Sequence, residues 1–243
     1  MQCDICAIIA STQTECFFKT RKPIHKCQYI YSVHITHTCS FSDKEEVDLV
    51  IAVHSDKKAN VKLVKKHIQG FLKEVLKDVD LDSGAVRVSF GTFGETTDIH
   101  FTLNAFNKVK QMNKAFKKVK PGVYRSKGLD YVTLIETLNN DVFTESKGDR
   151  PGVANIVLII SDSKSTNDIN ELRSAADELK RRATVVAIGI EGADEEEVKA
   201  LSSQPVESYA FIGTEYADMT KLPELREQLK SNIKICKCFV LIA

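Results

Sequence analysis

Residues Val47 to Asp56 read VDLVIAVHSD, and Asn155 to Ser163 read NIVLIISDS. Each is a short, nearly unbroken apolar run that ends abruptly in small polar residues. A strand buried on both faces of a parallel sheet looks like this, because helices cover both sides and the usual alternation disappears. The polar residues then fall at the carboxyl ends of the strands, where open α/β sheets place their ligand sites. These two stretches therefore predict an α/β fold and mark where its site should lie.

Outward from these strands, the pattern alternates. Val61–Val79 repeats apolar residues at helical spacing through Val61, Val64, Ile68, Leu72, Val75 and Leu76. Val86–Phe93 and Ile99–Leu103 read as a strand pair around Gly94-Glu95-Thr96-Thr97. A Lys-rich helix is expected at about Asn107–Val119, a break at Pro121-Gly122 and a helix at Leu129–Phe143. After Ile156–Ile160, a helix is expected over Asn167–Arg182, a strand over Thr184–Ile190 and a short helix over Asp194–Leu201. A last strand, Ser208–Ile212, and a last helix, Leu222–Ile233, complete the reading. Strands alternating with helices imply a parallel sheet with right-handed crossovers.

Composition sets bounds on this fold. The chain has 243 residues, 43% hydrophobic and 28% charged, with a formal net charge of +1. These are globular values, with no global bias toward nucleic acid or membrane. No apolar run approaches the roughly 20 residues of a bilayer span. The first residues, MQCDICAIIASTQTEC, lack a basic n-region and read as a poor secretory signal. Residues 1–42 show no sustained period and read as a separate, poorly ordered segment. Residues 43–236 form the expected domain, and 237–243 a tail.

The seven cysteines flank that domain: Cys3, Cys6, Cys16, Cys27 and Cys39 precede it, and Cys236 and Cys238 lie at its end. Buried structural cysteines would be scattered through the core. Cysteines confined to the flanks point to a clasp between chain ends in an oxidising compartment. Cys3-x-x-Cys6 lacks the second Cys/His pair that a zinc site needs.

From about Val47 to Cys236 the chain resembles a von Willebrand factor type A (vWA) domain of the extracellular-matrix kind. The words that carry the resemblance are VDLVIAV, VRVSFGTFGE, GLDYV, RPGVANIVLIISDS, TVVAIGIEGADEEEVKALSSQP and LPELREQL, in the family's order. The resemblance implies a doubly wound, mostly parallel six-stranded sheet with one short antiparallel edge strand, expected at Ile99–Leu103. It also implies that the chain enters and leaves on one face of the sheet. Matrix members join their ends there, so a Cys39–Cys236 disulfide is expected, with Cys238 the competing partner.

Members of this family often carry a metal-ion-dependent adhesion site built from three loops. These supply Asp-x-Ser-x-Ser after the first strand, a Thr before the third helix and an Asp after the fourth strand. Mg²⁺ prefers an octahedron of hard oxygens. Here His54 stands at the first Asp, Asp56 at the first Ser, Lys58 at the second and Val123 at the Thr; only Asp162 matches. Imidazole is softer than Mg²⁺ prefers, valine offers no oxygen and lysine brings a competing cation. An intact Mg²⁺ site is therefore not expected, and no cofactor is. Lys58 is expected to fill the metal position beside Asp56 or Asp162. The plainer readings are an Asp162 that caps a helix near Ser165, a His54 bonded among loop carbonyls, and solvated Lys57 and Lys58.

Charge adds a second expectation. Lys57, Lys58, Lys120, Arg125, Lys127 and Lys164 map to the same three loops, and the Lys-rich helix adds Lys108, Lys110, Lys114, Lys117 and Lys118. From about Tyr131 on, the chain is net acidic. A one-sided basic field attracts sulfated glycans or acidic proteins. Nucleotide chemistry has no phosphate cradle after Val53, and no Ser/His/Asp or Cys/His arrangement can be assigned. The sequence thus points to a secreted, non-catalytic adhesion domain that binds extracellular matrix proteins or sulfated glycans, without nucleic acid or membrane insertion. The alternatives are a scaffold-only copy in a multidomain, collagen-like protein and, from another class, a Rossmann-like enzyme.

Overall fold

A computed structural model of the chain describes residues 46–55, 69–73, 76, 79–119 and 128–214. All fall within one compact unit, Cys39–Phe239. The strands are β1 (Val47–His54), β2 (Val86–Phe93), β3 (Thr97–Phe101), β4 (Ala154–Ser161), β5 (Thr184–Gly189) and β6 (Ala210–Ile212). They form a single six-stranded sheet in the order β3-β2-β1-β4-β5-β6. Every neighbouring pair is parallel except β2 and β3. The fold is the doubly wound α/β sheet that the family resemblance implies.

The central strand shows why its sequence lacks alternation. All eight residues of β1 are buried. Leu49, Ile51 and Val53 join one apolar cluster with Phe71, Leu72 and Met112. Val50 and Ala52 join another, with Leu134, Leu138 and Leu172 on the opposite face. Both faces are covered, so both sets of side chains must be apolar. Each buried Val, Leu or Ile contributes roughly 1.5–3 kcal/mol relative to exposure.

The helices are α1 (Val109–Lys118), α2 (Tyr131–Thr137), α3 (Ile169–Lys180), α4 (Glu195–Leu201) and the short α5 (Val206–Tyr209). Residues 69–73 are also helical. Asp130, Asp168 and Asp194 cap α2, α3 and α4 through backbone N–H groups. Met112 of α1 is fully buried. At Gly189 an added Cβ would lie 2.7 Å from the side chain of Val198. Only glycine lets α4 pack this close to β5.

Several boundaries differ from expectation. The antiparallel edge strand is Thr97–Phe101 rather than Ile99–Leu103, because the turn closed by Gly94 N–H on the Thr96 carbonyl lets Thr97 pair with Phe93 at once. The helix expected over Leu129–Phe143 is α2 followed by a π-helical turn, Leu138–Val142. The last strand starts at Ala210 because residues 206–209 turn helical first. The expected helix at Leu222–Ile233, and segments 1–42 and 237–243, lie outside the described residues.

One buried charge interrupts the apolar run of β1. Asp48 is completely buried. It accepts hydrogen bonds from the backbone N–H of Arg150 at 2.8 Å and from its Nε at 2.8 Å. The same guanidinium donates to the carbonyls of Val47, Gly84 and Ala85. Arg150 thereby ties the start of β1 to the turn entering β2 and the turn entering β4. Removing one partner leaves a buried charge uncompensated. Arg150→Ala is expected to lower stability by about 3–5 kcal/mol, read as a drop in the urea midpoint at unchanged slope. A loss below about 1 kcal/mol, the range of an exposed pair, would show that the contact is not a structural tie.

Candidate functional site

Strand order places the site. The chain winds one way from β1 through β2 to β3, and the other way from β4 through β5 to β6. The reversal falls between β1 and β4, and the crevice beyond their carboxyl ends is where such sheets hold ligands. His54 ends β1 and Asp162 follows β4. Their side chains meet there: the Nδ1–H of His54 donates to Oδ1 of Asp162. A carboxylate only accepts, so Nδ1 must carry the proton. The His54 side chain is 2% exposed and tilts against the ring of Phe93, 5.8 Å away between centroids. Its Nε2 is buried, with no hydrogen-bond partner among the described residues.

This arrangement corrects two plain readings. His54 is bonded to a carboxylate, not held among loop carbonyls. Asp162 does not cap the following helix; that role falls to Asp168, six residues on, which accepts from the N–H groups of Asn170 and Glu171. The local spacing of Asp162 resembles a cap, but the loop after β4 continues through Ser165 to Asn167 before α3 begins.

The loops around the crevice are stitched together. Buried Glu197 of α4 accepts from the N–H of Ser165 at 2.9 Å and from its hydroxyl at 2.7 Å. Thr166 N–H donates to Leu129 carbonyl. Asn167 donates to Asp130 Oδ1 and accepts from Tyr131 N–H, and Asp130 N–H donates to Gly94 carbonyl. Tyr131 is fully buried and donates its hydroxyl proton to Ser161 at 2.6 Å. Burial pushes the Tyr131 hydroxyl well above the usual tyrosine range. Burial alone would raise the Asp130 carboxyl too. Hydrogen bonds from Thr133 N–H, the Asn167 amide, the Thr133 hydroxyl and Val132 N–H outweigh that and hold it below its ordinary value of 3.8.

Of the expected site residues, the structure brings His54 and Asp162 together. Asp56, Lys57, Lys58, Lys120, Val123, Arg125, Lys127, Cys39 and Cys236 lie outside the described residues. Lys164, expected on a basic face, donates to Asp194 at 2.8 Å, so its charge is locally balanced. The Lys-rich helix does not extend the top loops at its start. Val109 N–H is bound by Asp82, in the loop that enters β2, at the opposite end of the sheet from His54. Glu197, Tyr131 and Asn167 went unread as site-supporting residues. Glu197 is one of three consecutive acids in the first turn of α4, and Asn167 lies far along the chain from GLDYV, so local sequence gave no signal for either.

The profile of the von Willebrand factor type A domain matches residues 48–228. The chain belongs to the von Willebrand factor type A domain family. This vWA domain is 24% identical to matrilin-1 of Gallus gallus over 201 residues, covering 82% of this chain and 38% of the relative. It is 25% identical to matrilin-2 of Mus musculus over 200 residues, covering 81% of this chain and 20% of the relative. The chain thus spans well under half the length of these relatives. Among solved structures, proximal thread matrix protein 1 from the mussel byssus superimposes with a TM-score of 0.69 at 19% identity, over 77% of this chain and 48% of that one. Another structure of the mussel protein, described as having a zinc-occupied MIDAS motif, gives 0.67 at 18% identity. Among the described residues of this vWA domain, no group of three or more His, Cys, Asp or Glu gathers as metal ligands.

The stitched loops can be tested through Asp130. A carboxyl held low by native hydrogen bonds contributes stability above its ordinary pKa, and that contribution is lost as pH falls through the folded value. Asp130→Ala is expected to cost about 1 kcal/mol at neutral pH, the value of an N-cap. The gap from the parent should close as pH drops below 3.8, the ordinary carboxyl value. Denaturant melts across pH check this; a gap that stays constant into acid would contradict it.

Proposed function

We propose that this chain is a non-catalytic, protein-binding vWA domain of the extracellular matrix whose crevice works without a metal ion. The hydrogen bond between His54 and Asp162 carries the reading. An adhesion-site metal would need the carboxylate of Asp162 free and a hard oxygen at position 54. Instead, Asp162 Oδ1 is engaged by an imidazole that a hard dication disfavours. Val123 and Lys58, at two further motif positions, offer no suitable oxygen. The donors at hand therefore do not suit Mg²⁺. The likeness to matrilins and to a byssal matrix protein supports placement in the matrix, where partners would be other matrix proteins.

A His–Asp pair is also the orienting half of a hydrolytic triad. A nucleophile within reach of Nε2 would complete it. Among the described residues none does, and the ring is buried, which favours the binding reading over the enzyme reading. A scaffold-only domain that spaces its neighbours is the second reading. It fits a chain that matches only a segment of longer relatives.

Metal titration tests the central point. Adding millimolar Mg²⁺ is expected to leave the melting temperature unchanged, because a ligand that binds only the native state would raise it by mass action. EDTA should likewise change neither stability nor retention on immobilised matrix protein. A clear Mg²⁺-dependent rise that disappears in Asp162→Ala would overturn the reading. Loss of matrix binding with and without EDTA alike would favour the scaffold.

A Cys39–Cys236 disulfide belongs to the same proposal, since a matrix domain folds in an oxidising compartment. Closing so long a loop is expected to contribute about 4–5 kcal/mol in the chain-entropy model. Peptide mapping of secreted material should find the cross-linked pair. Free Cys39, or Cys39 joined to Cys238, would refute that assignment.

A further inference from the structure

We infer that the outer face of α1 is a docking strip for a sulfated polysaccharide. Lys110, Lys114 and Lys117 are exposed on one face of the helix and, with Asp82, Val109 and Asn113, line an open groove of about 600 Å³. Their spacing of four and three residues places them in one row, about 10 Å long at 1.5 Å per residue. The inner face of the same helix is fixed by fully buried Met112, and its neighbours Val109 and Phe116 pack on the same core cluster. The row is thus held outward by the packing of the helix.

Among the described residues, nothing balances the charge of this row. Among the described residues, Lys164, Lys180 and Lys199 each pair with an acid, whereas no acid pairs with Lys110, Lys114 or Lys117. Asp82, the one acid in the groove, is already committed: it accepts from Val109 N–H at 2.7 Å and lies 3.9 Å from Lys108. The arrangement also opposes helix stability. No acid stands in the first turn of α1, where Lys110 sits, although the dipole there favours negative charge. Like charges at these spacings repel. A polyanion laid along the row would relieve both costs.

The side-chain chemistry selects the partner. Protein interfaces rely on a core rich in Tyr, Trp, Phe, Met and Arg, with lysine depleted; the groove exposes none of those anchors. Single-stranded nucleic acid needs aromatic platforms, and the groove has none. Arginine forks suit planar bidentate recognition of carboxylate or phosphate, whereas lysine is a mobile point charge with rotatable donors. A row of lysines alone fits closely spaced sulfate groups on a flexible chain. The reading is independent of the crevice, since the row starts at the other end of the sheet from His54.

Calorimetry of the full chain with a heparin dodecasaccharide, over a salt series, tests this. Replacing Lys110, Lys114 and Lys117 together by Gln should weaken binding at least about tenfold and lower the salt slope by about two, as loss of about three ionic contacts predicts. Replacing Arg173, Arg181 and Lys199 by Gln removes the same charge from the helices on the opposite face of the sheet and should change affinity less than about twofold, because distant charges are screened. Heparin should also raise the melting temperature of the parent and not of the strip variant. If the triple variant unfolds, Lys114→Glu alone should still weaken binding, with helical content unchanged by circular dichroism. Equal losses in both triple variants, no binding by the parent, no loss in Lys114→Glu, or equally tight binding of an oligoglutamate of matched charge through the same lysines would each overturn the proposal. A negative result here leaves the Mg²⁺ titration unaffected.

Discussion

Asp48 is a completely buried carboxylate in the central strand of the sheet, and Arg150 is what makes it tolerable. An isolated charge at that depth would be expelled or neutralised. The guanidinium meets it through Nε, and the backbone N–H of the same residue fills the second oxygen. The remaining guanidinium protons close off three carbonyls at the sheet's amino end. Such a network adds little over an apolar core in net energy, but it accepts one geometry only. It fixes where β1 starts relative to β2 and β4. The in-step pairing of Val47 with both Val86 and Ala154 follows.

With the amino ends fixed, the position of the carboxyl ends is decided by strand length. β1 and β4 each run eight residues, which delivers His54 and Asp162 to the same level at the point where the winding reverses. The loops above them are tied laterally by hydrogen bonds of Glu197, Asn167 and Asp130. At the end of the first strand, His54 donates a hydrogen bond to Asp162 across the crevice.

The distribution of lysine follows a similar division. Where the fold places an acid nearby, as at Asp194, Asp177 and Glu195, lysines are spent in pairs. Among the described residues, those along α1 have no such partner. A basic field over the whole top face, read from residue order, treats Lys164 and the α1 lysines as one surface. The structure separates them, because β3 runs back down the sheet before α1 begins.

The apolar runs at Val47–Val53 and Ile156–Ile160, alternating with helical repeats, determined a parallel α/β sheet, and the family resemblance added its doubly wound order. Burial on two faces leaves a mark in composition that needs only local sequence to read. The motif departures at His54 and Val123 were legible for the same reason, since residue type alone says which ligands are hard. Three things depended on tertiary structure. The partner of Asp48 lies 102 residues away, and nothing in either short segment encodes the distance between them. The role of Asp162 turned on whether its carboxylate meets a helix end or an imidazole, which strand adjacency decides. The start of β3 depended on how tightly the chain turns after β2, since Thr97 already pairs with Phe93. Local sequence records what each residue can bury or ligate; only the packed sheet decides which groups, far apart in the chain, come within hydrogen-bonding reach.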